Sequence, residues 1–406
     1  MVLLSLCLGL FLADAVASLV DDSLILFSGI HLLAGIRGVV FFFAFLSALL
    51  VYCLMGLTPI IPKRLFLPVT LFNPVAWLLF IPGFIYCYDR IQQLSWVMSI
   101  IQVVFGLSIL YWCRGSLNFR WPLMAESQLP PRRFSWLNFT GFVLGNVVVL
   151  LPVLVAYLFL CAALAVGHYS AGFLALRPGG VMVRVRDYVR DYGKTIQLVP
   201  MAHVGDPDFY HNLSQSFPSN SVILMEGVTD NRNLITNQVN YERMATSLGL
   251  AEQHKEFTPD RGEWVRADVD VEQFSTNTIG FLNLAMLVHA KGVNSETVLK
   301  LMQDSPPPQI MEQIFDDIIK KRNRHLLDEI QARLPQSEHL IVPWGAAHMP
   351  GLAEEIQRSG FRLHKSRDFQ VIRFGSAGPN NKSVKQVHKD ARTEAEEGNQ
   401  REGAPK

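Results

Sequence analysis

TIQLVPMAHVGDPDFYHNLSQ, residues 195–215, is the stretch whose reading decides the fold of the water-soluble part of this chain. Its first eight residues, 195–202, are a short run rich in β-branched and apolar side chains, which predicts a buried strand. Asp206 followed by Pro207 supplies an N-cap and a proline at the first helical position, so a helix opens at DPDFYHNLSQ. Further runs of the strand type are SVILME (221–226), HLIVPW (339–344) and FQVIRF (369–374). Met349, Pro350 and Gly351 lead into LAEEIQRS, which Gly360 can end as a left-handed cap residue. Strands alternating with helices predict an α/β (α+β) layered domain with a central sheet over residues 195–375.

The longest helix expected there runs from Gln309 to Leu334, with Met311, Phe315, Ile318, Leu326 and Ile330 at helical spacing. Arg322 falls where that stripe calls for an apolar residue. A guanidinium so placed either reaches a carboxylate or a cavity, or runs its stem out to water.

Around this domain the chain is very uneven. Of 71 charged side chains in 406 residues, 13 lie in residues 1–175 and 58 in the remainder. Apolar runs at roughly 2–20, 36–58, 66–88, 95–113 and 136–166 are long enough to cross about 30 Å of hydrocarbon, so a multi-pass α-helical membrane region of about five spans occupies residues 1–170. Residues 171–194 read as a connector, and 376–406, polar and Glu/Lys-rich, as a disordered tail. Balanced charge, with half of the residues apolar, excludes collagen and wholly disordered classes; the partner implied is membrane lipid, not nucleic acid.

All five cysteines lie in the apolar part, so the soluble part has neither a disulfide framework nor a Cys-based zinc site. Lys63 and Arg64 occupy one short loop, and Arg114, Arg120, Arg132 and Arg133 another, whereas only Arg90 lies in the loop between. The positive-inside rule then makes the first two loops cytoplasmic and the soluble domain extracytoplasmic. The cluster Arg177, Arg184, Arg186 and Arg190 after the last span runs against that placement. Asp14, His31 and Arg37 are the few ionisable groups near the first spans, which favours an anchor over a transporter.

Three metal-binding side chains follow three of the expected strands: His203, Glu226 and His348. If those strands are parallel neighbours, their carboxyl ends converge on one crevice, where open α/β sheets place ligands. Two imidazoles and a carboxylate form the ligand set of a catalytic divalent ion with an open position for water. Each histidine alone is more often a hydrogen-bonded structural residue. Asp268 and Asp270 could add oxygen ligands or a general base, or they cap and hydrate a strand edge. Tyr210 can face the crevice and stabilise an oxyanion, although Phe209 and Leu213 mark that helix face as packing.

MAHVGDPDFYHNL (201–213), SVILMEG (221–227), the Arg322–Asn323 pair and GAAHMPGL (345–352) together resemble the TraB/TIKI superfamily, which includes pheromone-shutdown and GumN-like proteins. The likeness covers 195–375 and none of the membrane region. Members carry two GxxH motifs, and the TIKI group are membrane-tethered metalloproteases. The resemblance therefore implies a metal-dependent hydrolase, a peptidase acting on peptide or protein, with one divalent ion (Zn, Mn or Co) held by His203, His348 and Glu226 and its bound water as nucleophile. Glu226 and Arg322 take the places of the family's acidic residue and helix arginine. Gly345 to His348 match the second motif, whereas Pro200 stands where the first motif has glycine, removing backbone freedom there. The rival reading is a membrane-bound regulatory protein that sequesters a peptide signal or an iron compound without hydrolysing it.

Overall fold

A computed structural model describes residues 1–124, 129, 134–190, 193–236, 241–292, 294, 297, 299 and 307–375. Arg132, Arg133 and the tail 376–406 lie outside the described residues. The chain divides into two compact units, Met1–Ala165 and Val166–Lys406.

Among the described residues, five helices, all beginning in the first unit, are long and apolar enough to cross a membrane. They are α1 (Val2–Ser28), α2 (Ala34–Leu57), α3 (Lys63–Tyr86), α4 (Ile91–Arg114) and a final span in which α5 (Trp136–Leu144) and α6 (Leu151–Tyr169) join through a π-helical turn. Although Asp14 interrupts its apolar run, α1 is the most buried of the five. It presents Leu4, Leu8, Phe11 and Leu12 to a core shared with Val51, Met55, Ile109 and Leu110. A Cβ at Gly106 of α4 would lie 2.6 Å from the Leu12 side chain, so a missing side chain permits this close approach.

The second unit is built on a mixed seven-stranded sheet. Four neighbouring strands are parallel: β3 (Thr195–Met201), β8 (His339–Gly345), β5 (Ser221–Met225) and β7 (Glu263–Arg266), in that spatial order. β2 (Gly180–Val189) pairs antiparallel with β3, with β1 (Leu174–Arg177) and, along its whole length, with β9 (Arg362–Arg373). A two-residue β4 (Val204–Gly205) pairs with β6 (Ala251–Glu252) outside this sheet. Alternation sorts the side chains to the two faces. Ile196, Leu198, Leu340, Val342 and Trp344 pack with Leu326, Ile330, Leu352 and Ile356 of two helices, and Val199, Met201 and Ile341 pack on the other side with Phe209 and Leu213 of α7 (Pro207–Gln215). The layers are helix, sheet, helix, as the sequence predicts.

Two boundaries are corrected. Residues 171–194, expected to be a connector, carry β1 and β2. The Arg cluster there belongs to the sheet: Arg177 and Arg184 bond Asp368 of β9 at 2.8 and 2.7 Å, and Arg186 lies over the Phe173 ring. The helix expected over Gln309–Leu334 is interrupted by a π-helical segment, Asp316–Lys321, flanked by Pro308–Phe315 and Arg322–Arg333. Such a segment adds a residue to a turn and rotates whatever follows.

Pro200 sits inside β3 opposite Trp344 of β8. β2 pairs with β3 only as far as Leu198, so the missing N–H of Pro200 costs that side no ladder bond.

Candidate functional site

The parallel register places the carboxyl ends of β3, β8, β5 and β7 along one edge. Four sequence candidates lie just past those ends: His203 after β3, His348 after β8, Glu226 after β5 and Asp268 after β7. Arg322 reaches three of them. Its guanidinium makes a two-pronged pair with Asp268, Nε to Oδ1 at 2.9 Å and Nη2 to Oδ2 at 2.6 Å. The same Nη2 donates to Glu226 Oε1 at 2.8 Å, and Nη1 lies 3.2 Å from His348 Nε2. The plane of the guanidinium stands over Trp344, Cζ 5.2 Å from the ring centre. The misfit of Arg322 on its apolar stripe is thus resolved: it is 8% exposed and aims inward at carboxylates.

Each partner is itself held. Asp268, whose side chain is fully buried, also accepts from the Gly227 and Val269 amides at 2.9 and 2.8 Å. Glu226 Oε2 accepts from the amide of Gly345 at 2.5 Å, so the first glycine of GAAH serves the site through its backbone. A Cβ there would lie 3.4 Å from the same oxygen. Asn323, beside Arg322, places its Oδ1 2.7 Å from His348 Nδ1. With the proton on Nδ1, donated to this carbonyl oxygen, Nε2 carries a lone pair that accepts from Arg322 Nη1 and lies beside Glu226. Nε2 and Glu226 Oε1 are 3.6 Å apart. Sequence reasoning gave Asn323 no role; its signal was adjacency to Arg322, since two neighbouring helical residues can reach two groups on one facing strand edge.

Burial chiefly, and then the Arg322 charge, push the His348 imidazole down to about 4, with Glu226 and Asp268 opposing. Burial alone would lower the Arg322 guanidinium, but the hydrogen bonds and charges of Asp268 and Glu226 raise it further. The folded site therefore holds a neutral imidazole at neutral pH. Below pH 6.5 the unfolded chain binds a proton that folded His348 refuses, so stability is complete above that value and falls as pH drops towards 4. The slope from one such group is at most about 1.4 kcal/mol per pH unit. Thermal unfolding across this window should show that slope in the wild type and lose it in His348→Gln; equal slopes would refute the assignment.

The remaining candidates fall elsewhere. His203 is exposed and stacks on Tyr241, ring centres 4.8 Å apart, while its carbonyl accepts from the Gln253 amide. Tyr241 approaches the site closely enough that burial first, then the Glu226 charge, raise its phenol. Tyr210 is fully buried and donates to the Ala202 carbonyl at 2.6 Å, a packing and hydrogen-bonding role rather than an oxyanion contact. Asp270 caps the turn Val271–Gln273 and accepts from Thr229 and Asn231, the capping alternative. A cavity of about 690 Å³ opens beside Glu226, lined also by Thr229, Asn231, Trp264 and Arg266.

The donors fit a divalent ion in part. His348 Nε2 and Glu226 Oε1 are adjacent, of the right chemistry, and the imidazole is oriented through Nδ1 as metal-binding histidines are. Arg322 spends its charge against two carboxylates, so with a neutral imidazole the group keeps one negative charge. However, Nη1 of Arg322 lies against the lone pair a metal needs. Among the described residues no three His, Cys, Asp or Glu side chains gather at metal-binding spacing. No family model, no curated protein and no solved structure matches this chain.

Proposed function

We propose that the chain is a membrane-anchored, metal-dependent hydrolase of the TraB/TIKI type, a peptidase whose site is the strand edge around Glu226 and His348. The observation that carries this reading is the pair His348 Nε2 and Glu226 Oε1, 3.6 Å apart, a neutral imidazole whose lone pair only Arg322 Nη1 meets beside a carboxylate of a group that keeps one net negative charge. These two would hold the ion, with His203 as third donor once its ring leaves Tyr241. A divalent ion bound there would polarise a substrate carbonyl and lower the pKa of water. Arg322 stays paired with Asp268 and holds Glu226 in place, Asn323 keeps the imidazole tautomer, and the cavity beside Glu226 receives the peptide. The loop charges Lys63, Arg64 and Arg114 support an extracytoplasmic site.

A second reading is favoured by Arg322 Nη1 at 3.2 Å from His348 Nε2 and by the stacked His203: a regulatory domain that binds a peptide signal or an iron compound without cleaving it. Elemental analysis of the chain, purified without chelator, separates the two. The hydrolase reading expects near-stoichiometric Zn, Mn or Co, lost in both His203→Ala and His348→Ala together with peptide hydrolysis. A folded wild type that takes up no divalent metal at micromolar concentration would leave only the sequestering reading.

A further inference from the structure

The membrane unit contains a cavity of about 570 Å³ between α1, α2, α3 and α4, acidic on one side and largely apolar on the others. Its acidic side is one stripe of α1. Asp14, Ser18 and Asp21 recur at four and three residues, so they share a helix face, and all three line the cavity. Asp22 stands beside the stripe, and Arg37 of α2 is the cation facing it.

The hydrogen bonds are unevenly distributed among these acids. Asp22 is fully engaged: Oδ1 receives Arg37 Nη1 at 2.6 Å and Gln92 at 3.4 Å, while Oδ2 receives Ser95 and Ser99 at 3.0 and 2.5 Å. Asp21 keeps only a longer contact from the same Arg37 nitrogen, 3.3 Å to Oδ2. Asp14 Oδ2 accepts from Gln102 at 2.8 Å and Asn73 at 3.4 Å. Asp14 Oδ1 and Asp21 Oδ1 meet no donor among the described residues, although each residue is only 2% exposed. Three carboxylates face one guanidinium, and the two with a spare oxygen both line the cavity. Buried charge of this kind in a bilayer-crossing segment marks a functional path or site, because an isolated carboxylate in hydrocarbon costs several kcal/mol.

The spacing selects the occupant. Seven residues of helix set Asp14 and Asp21 roughly 10 Å apart along the axis, on nearly the same face. One ammonium cannot satisfy both. The cavity is of small-molecule size, well beyond what a single inorganic ion fills. Its other walls, Phe41, Phe72, Trp77 and Phe80, suit methylene groups and the faces of cations. We propose that this cavity binds a linear organic dication, a diamine or polyamine, with one ammonium at Asp14 and a second at Asp21. Each ammonium brings a charge and three N–H donors to a carboxylate with an unused acceptor.

The test uses the full-length chain in phosphatidylcholine nanodiscs and equilibrium binding of spermidine, diaminobutane, diaminooctane and octylamine, with sodium ion as competitor. We expect saturable binding near one per chain, a preference for the longer dications, and at least a tenfold advantage of diaminooctane over octylamine. Asp14→Asn and Asp21→Asn, each nearly isosteric, should each remove that tenfold advantage, while Asp89→Asn, on an exposed turn, should leave it unchanged. Equal affinity for octylamine and diaminooctane would overturn the proposal, as would displacement by sodium alone at millimolar concentration or wild-type binding in both Asn variants. The length series is read on the unmodified chain, so the proposal stays testable even where a variant fails to fold.

Discussion

Arg322→Met should destabilise the soluble domain by about 3–5 kcal/mol, the range for removing one partner of a buried ion pair. The reason lies in what is left behind. Asp268 has a fully buried side chain and Glu226 a partly buried one, and both would be left without their cation. Methionine restores much of the lost volume over Trp344 but no donor. For a domain of about 200 residues, such a loss lowers the melting temperature by roughly 10 °C. Arg322→Lys keeps the charge and loses the two-pronged geometry, so it should fall between. Adding Asp268→Asn to Arg322→Met removes one orphaned charge and should recover part of the loss. Melting curves of the three variants beside the wild type check this order; a Met variant as stable as the wild type would mean that the carboxylates reach water.

Trp344→Ala should be of similar size, about 3–5 kcal/mol, because it empties the largest fully buried side chain in the domain. The effect is distinguishable from that of Arg322. Trp344 donates Nε1–H to the Leu224 carbonyl at 2.9 Å, packs edge-on against His348 at 5.1 Å and lies beneath the guanidinium. Trp344→Phe keeps a ring under Arg322 and drops the hydrogen bond, so it should lose only about 1 kcal/mol plus the cost of an unpaired carbonyl. If the alanine variant binds metal as the wild type does while melting much lower, Trp344 is a floor for the site and nothing more.

Three of the parallel strands, β3, β5 and β8, were legible because they are mostly buried and read as short apolar, β-branched runs, whereas β7, Glu-Trp-Val-Arg and mostly exposed, gives no such run and was missed. β2 was missed for the opposite reason. In GVMVRVRDYV, Val181, Val183 and Val185 alternate with Met182, Arg184 and Arg186, the signature of a strand with one wet face, but the arginines draw attention to the membrane boundary instead. Asp368, far along the chain, answers those charges, and no local pattern announces so distant a partner. At the site, the strand-end rule found Glu226 and His348 by position, while Asp268 was weighed only as a further acid, since β7 before it was not read as a strand. It could not tie them together, because what joins them is Arg322, delivered at the end of a π-helical segment with no clear sequence mark. His203 obeys the same rule and still lies apart, held by a tyrosine that sequence spacing does not connect to it.

β8 is the last of the parallel strands to be made, yet it lies between β3 and β5. A ribosome delivers Thr195–Met201 and Ser221–Met225 more than a hundred residues before His339–Gly345. Until then the two earlier strands have an open slot where their shared neighbour belongs, and Glu226 lacks the Gly345 amide. The nascent chain therefore holds no assembled site until His339–Gly345 has been made, and any chemistry the site performs is withheld until then. The same gap is a strand-shaped vacancy with unpaired edges, the part of the folding chain most open to capture by a chaperone or by another copy of itself.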